Sequence, residues 1–550
     1  MSTKAYENFS TVATPQSEPI PGEKMIPNNA GGYAYDVGRW QAFERFLILG
    51  TEGGSYYVKE QKLTRDNALK TLSCIREDPA RAVAKIVSVS DEGRAPKNDA
   101  AEFALALVAS STNVEARKLA YAALPQVCRI PTHLFHFLTY VQANRGWSRG
   151  LRTAVAKWYD RFDADKLAFE LVKYQSRDGW ANRDALRLAH PKMGADKQAA
   201  LRWVVGAPLA EREVKRNRGA RVDAYPATSH WADGQMLPHI ISAFETAKTA
   251  DTKTLVRLIR ERGLSREMVP TEALTKPEVW EALLDKMPPH ALLRNLGNLS
   301  KCGLLTPLSA AETTVLTKFS MMEEAYLREK RVHPIAVLVA LKVYQSGAGV
   351  RGSGTWTAVP SVVDALDGMF YRAFGAIVPT GKRMLFGIDV SGSMSMGTIG
   401  GLPLMPSEGA AAMALACAKS ETQYHIMGFA SQFRDLGITP RMRLDDVLKK
   451  TQQLSFGGTD CALPMKWARQ NKADVDAFVV ITDNETWAGG SHPSEELRRY
   501  RQERGIAAKE VVIGMTATEI TVADPNDPLT LDVVGFDAST PQALSEFVRL

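Results

Sequence analysis

The chain has 550 residues, of which 45% are hydrophobic and 23% are charged, and its formal net charge at pH 7 is +7. These values are typical of a globular protein with a sizeable core, and the length predicts about three to four domains, or fewer if one is a large repeat array. No apolar run reaches the ~20 residues of a membrane-spanning helix, so we expect no membrane partner. The five cysteines are scattered without a CxxC pair, which argues against a disulfide framework or a zinc site and favours a reducing cytoplasm.

Residues 1–32 are polar and rich in proline, and they lack the apolar segment of a signal peptide. We therefore expect a flexible N-terminal arm over this range. From residue 36 to about residue 370, apolar residues recur at three- and four-residue spacing in short segments separated by Pro and Gly. Such short helices stack as antiparallel pairs, which predicts an all-α helical-repeat array over residues 33–365.

The pattern changes after about residue 365, where compact β-type runs alternate with helical segments. The strand-like runs are 384–389, 424–430, 477–483, 510–515 and 531–537. The helical segments are 408–420, 444–451, 461–471, 493–503 and 541–548. Strands that alternate with helices of about ten residues predict an α/β domain over residues 366–550, with a doubly wound, Rossmann-like parallel sheet.

Oxygen-bearing side chains follow two of these strands where each strand ends. Asp389 closes the first strand and is followed by Ser391 and Ser393, while Asp483 closes the third strand and Thr459 lies on a Gly-rich loop between them. Ligands of such sheets bind at the carboxyl ends of the strands. Two carboxylates and three hydroxyls, without Cys or His, favour Mg²⁺ over zinc, with Mn²⁺ or Ca²⁺ as alternatives. The competing interpretation is a cap of the following helix. A serine hydrolase is excluded because the G-x-S-x-G turn is absent.

Basic charge is concentrated in residues 145–222, which hold 18 Lys and Arg against 9 Asp and Glu. This is the footprint of a nucleic-acid surface, although solvated helix faces give the same count. The side chains that could neutralise phosphates are Arg149, Arg152, Lys173, Arg177, Arg183 and Arg187. The last two share a helix face if their segment is helical. Trp147, Trp180 and Tyr174 could stack on unpaired bases, but core packing is the favoured interpretation for both Trp side chains.

Several motifs resemble those of a known family. DVSGSM, FGGTD and VVITDN resemble the three loops of the metal-ion-dependent adhesion site of von Willebrand factor A domains, and TDNETWAGG and GGTDCALPMKWA resemble the Ro branch of these domains. Segments 45–63, 145–159, 173–192 and 328–347 are similar to Ro stretches in the same order, so the resemblance covers about residues 33–550. It implies a HEAT-like helical ring, the TROVE domain, over residues 33–365 and a von Willebrand factor A domain over residues 366–550.

The resemblance also implies a function. The ring of this family binds single-stranded 3′ ends of misfolded or immature RNAs in its central hole and small structured Y-type RNAs on its outer basic face. Lys173, Arg177 and His190 match family positions implicated in RNA binding on the outer surface, and all three fall within the basic segment. All five adhesion-site positions are present as well.

Two hypotheses follow from these observations. The first is a non-catalytic RNA-binding ring that acts in RNA quality control as a scaffold, with an exoribonuclease as a candidate partner. The alternative is an adhesion module in which the metal of the A domain captures an acidic side chain of a protein. A nuclease is disfavoured because the sequence shows no carboxylate-rich two-metal cluster. We expect a cytoplasmic protein, since no targeting signal is evident, and a monomer, since the family ring closes within one chain.

Overall fold

The computed structural model describes residues 13–50, 69–205, 237–350, 354–375, 377–395, 402–439, 441–452 and 457–550. Over these residues an array of α-helices is followed by an α/β domain built on a six-stranded sheet. The predicted fold class is therefore confirmed.

The helical array spans most of the first 372 residues. Its described helices are α1 (Arg39–Leu49), α2 (Leu69–Glu77), α3 (Pro79–Asp91), α4 (Asp99–Ala109), α5 (Val114–Val127), α6 (Pro131–Asn144), α7 (Arg149–Asp160), α8 (Ala164–Lys173), α9 (Asn182–Ala189), α10 (Gln198–Val205), α11 (His239–Ala247), α12 (Thr252–Arg262), α13 (Pro277–Asp285), α14 (Pro289–Lys301), α15 (Ala310–Ser320), α16 (Glu324–Glu329), α17 (Pro334–Gln345) and α18 (Pro360–Arg372). Neighbours in sequence pack against each other, as expected for stacked helical hairpins.

Helices α7 and α8, which carry three of the predicted basic residues, begin at side chains suited to cap them. Ser148 Oγ accepts a hydrogen bond from the Leu151 N–H at 3.2 Å, and Asp163 Oδ1 accepts one from the Lys166 N–H at 2.7 Å. These bonds satisfy backbone donors that a first helical turn leaves free. The apolar faces of α7 and α8 are buried in the array, so the polar faces are left for solvent or a ligand.

The end of the helical array returns to its beginning. The His333 imidazole, at the start of α17, contacts the Arg94 carbonyl, which follows α3, at 2.9 Å. These residues are 239 positions apart in the chain. The segment after α3 thus contacts the start of α17, so parts of the chain near the two ends of the array meet, as the resemblance to a ring implies.

The α/β domain follows with alternating strands and helices. Its strands are β5 (Met384–Asp389), β6 (Tyr424–Phe429), β7 (Phe433–Asp435), β8 (Ala477–Thr482), β9 (Lys509–Gly514), β10 (Ile520–Thr521) and β11 (Thr530–Val534), numbered after β1 (Met25–Pro27), β2 (Tyr33–Asp36), β3 (Ser176–Arg177) and β4 (Trp180–Ala181). Its helices are α19 (Pro406–Ala418), α20 (Leu444–Gln452), α21 (Leu463–Gln470), α22 (Pro493–Arg504) and α23 (Thr540–Arg549).

The order of strands across the main sheet is β11-β9-β8-β5-β6-β7. All neighbouring strands are parallel except β7, a short edge strand that pairs antiparallel with β6 and was not predicted. The buried strands β5 and β8 are direct neighbours. Residues that follow these two strands therefore meet at one edge of the sheet.

Residues 13–36 lie against the α/β domain. Strand β2 pairs antiparallel with β1 and with β10. Gln16 is fully buried, and its Nε2 donates a hydrogen bond to Asp460 Oδ1 at 2.7 Å, while Asn28 Nδ2 donates one to the Thr486 carbonyl at 2.6 Å. The prediction of a flexible arm over residues 1–32 is therefore wrong for residues 13–32, because their polar groups have buried partners far along the chain. Residues 1–12 lie outside the described residues.

The predicted boundary between residues 365 and 366 falls inside helix α18. This helix packs against α15 and α17, and Arg372 Nη2 donates a hydrogen bond to the Phe319 carbonyl at 3.1 Å. Because its helix packing is with the array, α18 belongs to the helical part of the protein, and its Asp364 and Asp367 carboxylates also bond Arg443 and the Leu444 N–H of the α/β domain. The remaining boundaries stay predictions.

Candidate metal centre and nucleic-acid interface

The loop after β5 brings the first three predicted metal ligands together. Asp389 Oδ1 accepts a hydrogen bond from the Ser391 N–H at 2.9 Å, and Asp389 Oδ2 accepts one from Thr482 Oγ1 at 2.6 Å. The hydroxyl oxygens of Ser391 and Ser393 are 3.0 Å apart. Ser393 lies in a single helical turn, Gly392–Ser395. The three side chains are buried, so their oxygens face one small space and not solvent.

Asp483 enters the same space from the end of β8. Its Oδ1 accepts a hydrogen bond from the Glu485 N–H at 3.1 Å, whereas its Oδ2 is buried without a hydrogen-bond partner among the described residues. Burial and the charge of Asp483 raise the pKa of Asp389 to about 7, and burial also raises the pKa of Asp483. Two buried carboxylates with one unsatisfied oxygen form a set that a cation would stabilise.

Thr459, the fifth predicted ligand, is buried on the loop that precedes α21. Its carbonyl accepts hydrogen bonds from the Trp487 and Ala488 N–H groups at 3.1 and 3.0 Å. These bonds hold the Thr459 loop against the loop that follows Asp483. All five predicted residues therefore lie on three adjoining loops at the carboxyl edge of the sheet, and this oxygen-only donor set fits Mg²⁺ or a similar hard cation.

The predicted basic residues lie on α7, α8, β3 and α9 and at the residue that follows α9. Arg149 and Arg152 are exposed in the first turns of α7, Arg177 ends β3, and Arg187 lies on α9. The Arg177 side chain is 60% exposed, and Arg187 Nη2 donates a hydrogen bond to the Val205 carbonyl at 3.0 Å. Because α7 packs against α9, the structure places these side chains on one region of the array.

Two further residues of the predicted RNA-binding set lie at the ends of helices in this region. Lys173, the last residue of α8, is half-buried, and its Nζ lies 5.5 and 5.1 Å from the ring centres of Phe169 and Tyr174. His190 is exposed and ends α9 in the left-handed conformation, with φ 47°. Helix α9 also carries Arg183, which is exposed like Arg187, as their spacing predicted. The part of the basic segment from residue 206 to 222 lies outside the described residues.

Trp147 and Trp180 stack on each other beside these residues, with ring centres 6.0 Å apart. Both are half-buried and packed on the hydrophobic core, as the sequence analysis favoured. Tyr174 is likewise half-buried. These aromatic side chains pack on the core beside the basic region, and the Arg side chains are the exposed groups of that region.

Comparison with known families gives matches to both parts of the chain. The TROVE domain matches residues 26–348, and the Ro60 vWA domain matches residues 383–548. The chain belongs to the Ro family. The resemblance inferred from the motifs is thereby confirmed.

Ro relatives are similar over nearly the full length. The chain is 42% identical to the RNA-binding protein RO60 of Deinococcus radiodurans over 97% of this chain and 97% of that protein. It is 34% identical to the RNA-binding protein RO60 of Caenorhabditis elegans over 95% of this chain and 90% of that protein. The crystal structure of the Deinococcus radiodurans RO (RSR) protein matches with a TM-score of 0.68 at 42% identity, and the match covers 93% of this chain and 99% of that one.

This Ro chain also contains functional neighbours that the sequence analysis missed. Gln16 Nε2 bonds Asp460, which follows the predicted ligand Thr459, and Asn29 bonds Glu485, which lies two residues after Asp483, at 2.7 Å. No local pattern identifies these contacts, because the bonded residues are more than 440 positions apart. The segment 13–36, called the N-terminal strap below, therefore supports two of the three loops that carry the predicted ligands.

A second acidic group lies in the helical array of this Ro chain. Asp99, Glu102 and His136 offer ligand atoms within 4.8 Å of one another. The Glu102 carboxylate is buried and already bonded to His136 and Asn98, so its polar atoms are satisfied without an ion.

Among the described helices, none is long and apolar enough to cross a membrane.

Proposed function

We propose that this Ro chain is a non-catalytic, RNA-binding ring that acts in RNA quality control. The names of its relatives, RNA-binding protein RO60, support RNA as the ligand. The observation that carries the proposal is a group of basic side chains on α7, the end of α8, β3 and α9. This surface, the outer basic face, consists of Arg149, Arg152, Lys173, Arg177, Arg187 and His190.

The outer basic face suits a ligand recognised mainly through its phosphates. Arg and Lys contacts to phosphate give affinity that falls steeply with salt and depends little on sequence. The planar Arg guanidinium can also stack on an unpaired base. A protein that accepts many structured or defective RNAs needs this combination.

Two RNA classes are assigned to two places. Y-type small RNA binds the outer basic face, and the single-stranded 3′ ends of misfolded or immature RNAs enter the central hole of the ring. The protein then presents the bound RNA to an exoribonuclease and acts as a scaffold. We place this activity in the cytoplasm and assign the protein as a monomer.

An RNA duplex with a single-stranded 3′ tail tests the assignment of 3′ ends to the central hole. Gel shifts at low salt should show tighter binding of the tailed duplex than of a blunt duplex with the same stem, because only the tail can enter the hole. RNA recovered after incubation with Mg²⁺ should be intact. Equal affinity for both duplexes would argue against recognition of the tail, and cleavage products would argue against a non-catalytic protein.

A second candidate function is metal-dependent capture of a protein partner by the A domain. The buried Asp483 Oδ2, which has no hydrogen-bond partner among the residues that the structure describes, favours it. Asp389, Ser391, Ser393, Thr459 and Asp483 would hold Mg²⁺, with Mn²⁺ or Ca²⁺ as alternatives. The cation would supply a coordination position for an acidic side chain of the partner. The two functions are compatible, because RNA and metal are assigned to different domains.

Calorimetric titration of metal-free protein with Mg²⁺ or Mn²⁺ tests the metal site. The wild type should give a saturable signal at one site, and an Asp389→Ala variant should give none. If the wild type gives no signal, either alone or with a soluble carboxylate present, the metal-dependent function is wrong. A complex with a protein partner that survives nuclease but dissociates in a chelator would support it.

A further inference from the structure

The strand pair that presents Arg177 is a hairpin closed by Asp178 and Gly179. Strands β3 and β4 pair antiparallel, with Arg177 opposite Trp180. Both turn residues have positive φ, 51° for Asp178 and 80° for Gly179. Asp-Gly is a favoured pair for such a two-residue turn, because both positions must adopt left-handed backbone conformations. The turn therefore fixes the position of the Asp178 carboxylate directly beside Arg177.

The Asp178 carboxylate faces a histidine of the neighbouring helix α6. His136 Nε2 lies 3.2 Å from Asp178 Oδ2, and His136 Nδ1 lies 2.8 Å from Glu102 Oε2 of α4. Asp99 Oδ1 is 3.9 Å from the same Nδ1. A neutral imidazole can donate a hydrogen bond from only one nitrogen. The imidazolium form of His136 is thus the form that satisfies the carboxylates on both sides.

The neighbouring side chains His133 and Tyr140 are neutral, so His136 is the side chain that carries the positive charge of the cluster. His133, on the same helix, lies 3.7 Å from Glu102 Oε1, but burial lowers its pKa to about 3. Tyr140, also on α6, has its pKa raised by burial and by the carboxylates, so it stays neutral. Burial disfavours the His136 imidazolium, but the hydrogen bond and charge of Glu102, with Asp178 and Asp99, outweigh burial and raise its pKa.

Asp178 is shared between His136 and the candidate RNA contact. Its Oδ1 lies 3.6 Å from Arg177 Nε, while its Oδ2 faces His136. We propose that protonated His136 is a positioning residue for RNA binding, because it anchors the hairpin turn and neutralises Asp178, leaving Arg177 available for phosphate. This inference rests on the proposed RNA function of the outer basic face.

Loss of the His136 proton has two consequences for the hairpin. The ion pair that joins the turn to helix α6 is lost, and the unpaired Asp178 carboxylate then competes with RNA phosphate for Arg177. Both effects weaken RNA binding as the pH rises through the pKa of His136.

Fluorescence anisotropy with a labelled RNA duplex carrying a 3′ tail tests the inference at constant ionic strength between pH 6 and pH 9. His190 is an exposed imidazole on the same face, so a His190→Gln variant serves as the reference protein. Three proteins are compared: His190→Gln alone, His190→Gln/His136→Gln, and His190→Gln/Asp178→Asn. His425→Gln, an exposed histidine of the A domain, is the control for histidine replacement.

The reference and the His425→Gln control should lose about tenfold in affinity from pH 6 to pH 9. The His136→Gln protein should bind at every pH as weakly as the reference does at pH 9. The Asp178→Asn protein should lose most of this pH dependence and bind more tightly at pH 9 than the His136→Gln protein, because no carboxylate is left to compete for Arg177, although the ion pair with His136 is absent at every pH. This second variant keeps the test decisive if His136→Gln fails to fold, because it removes the competing carboxylate without touching the buried Glu102.

If the variants keep the same pH dependence as the reference, the role of His136 is wrong while RNA binding stands. If neither the reference nor the wild type binds RNA at low salt, the proposed function itself fails.

Discussion

Arg331 Nη2 lies 2.6 Å from Asp91 Oδ1, and these residues are 240 positions apart in the chain. Arg331 Nε also donates a hydrogen bond to the Asp91 carbonyl at 2.6 Å. The pair joins Arg331, two residues beyond the end of α16, to Asp91, the last residue of α3, and thereby links segments near the two ends of the helical array. Exposed ion pairs contribute little to stability on their own. The close backbone packing around this pair therefore has to supply much of the free energy that holds these segments together.

Gly93 makes that packing possible, and its replacement should weaken the closure. Gly93 has φ 69°, and a Cβ at this position would lie 2.9 Å from the Arg331 Cβ. Gly263 has almost the same φ, 71°, but no atom within 4 Å of such a Cβ. Left-handed backbone costs a non-glycine residue about 1–2 kcal/mol. We expect Gly93→Ala to lower the free energy of unfolding more than Gly263→Ala, as measured by urea denaturation. Equal losses would show that the contact with Arg331 is unimportant.

The closure should also weaken in acid, because His333 is buried in neutral form. Its Nδ1 accepts a hydrogen bond from the Ile335 N–H at 3.1 Å, and its Nε2 contacts the Arg94 carbonyl at 2.9 Å. Burial lowers its pKa from 6.5 to about 4. Below pH 6.5 the unfolded chain takes up a proton that the folded chain excludes until about pH 4, so stability falls as the pH decreases across this window. The expected loss is about 3 kcal/mol.

Hydrogen exchange at the start of α17 measures this effect at pH 7 and pH 4.5. His333→Gln is the matched variant, since it keeps an amide that can bond the Arg94 carbonyl but has no proton to gain. The variant should lose less protection than the wild type on acidification. The same loss in both proteins would assign the acid sensitivity to other groups.

Asp483→Asn should have opposite effects in the absence and presence of metal. In a chelator, the variant should melt at a higher temperature than the wild type, because it removes one of two buried carboxylates that repel each other. In millimolar Mg²⁺ the wild type should gain stability by binding, whereas the variant should not. A wild type whose melting temperature is the same with and without Mg²⁺ would contradict the metal assignment.

The N-terminal strap should increase the affinity of the site for Mg²⁺, although it supplies none of the five predicted ligands. Gln16 Nε2 bonds Asp460 Oδ1 at 2.7 Å and the Ser491 carbonyl at 2.8 Å, and Gln16 Oε1 accepts from Thr486 Oγ1. Groups that orient metal ligands typically change affinity by about 10–100-fold when removed. We expect Gln16→Ala to weaken Mg²⁺ binding about tenfold.

Thr14→Ala is the control for the strap, because Thr14 contacts Glu495 at 3.1 Å and not the loops that carry the ligands. It should bind Mg²⁺ like the wild type. Linkage also requires that Mg²⁺ protect the strap from proteolysis in the wild type. Unchanged Mg²⁺ affinity in Gln16→Ala would show that the loops hold their geometry without the strap.

Local patterns were sufficient to predict the fold class and to bring the candidate metal ligands to one edge of the sheet. The alternation of strands with helices predicted the sheet, and the rule that parallel strands end at one edge then brought Asp389 and Asp483 together. Arg183 and Arg187 follow the same logic, since their spacing placed them on one face of α9. Each of these inferences depends only on periodicity within a short segment.

Most of the features that were missed depend on contacts between distant segments. Gln16 and Asn29 are polar residues in a polar segment, and only the folded chain shows their buried partners. His136 and Asp178 become neighbours because α6 packs against the β3–β4 hairpin, which no spacing along the chain predicts. The domain boundary was misplaced because α18 has the composition of any amphipathic helix, and its packing against α15 and α17 decides where it belongs.

The most direct test of the central claim measures RNA affinity across a salt series. The test protein is Lys173→Ala/Arg177→Ala/His190→Ala, on the outer basic face. The matched control is Lys382→Ala/Arg434→Ala/His425→Ala, which removes the same residue types from exposed positions of the A domain. The probe is a short RNA duplex with a single-stranded 3′ tail.

If the outer basic face binds RNA, the test protein loses affinity at low salt and shows a shallower dependence on salt concentration, because fewer phosphates are neutralised. The control then binds like the wild type. If the test protein and the control both bind like the wild type, RNA is held elsewhere, and the assignment of the outer basic face is wrong.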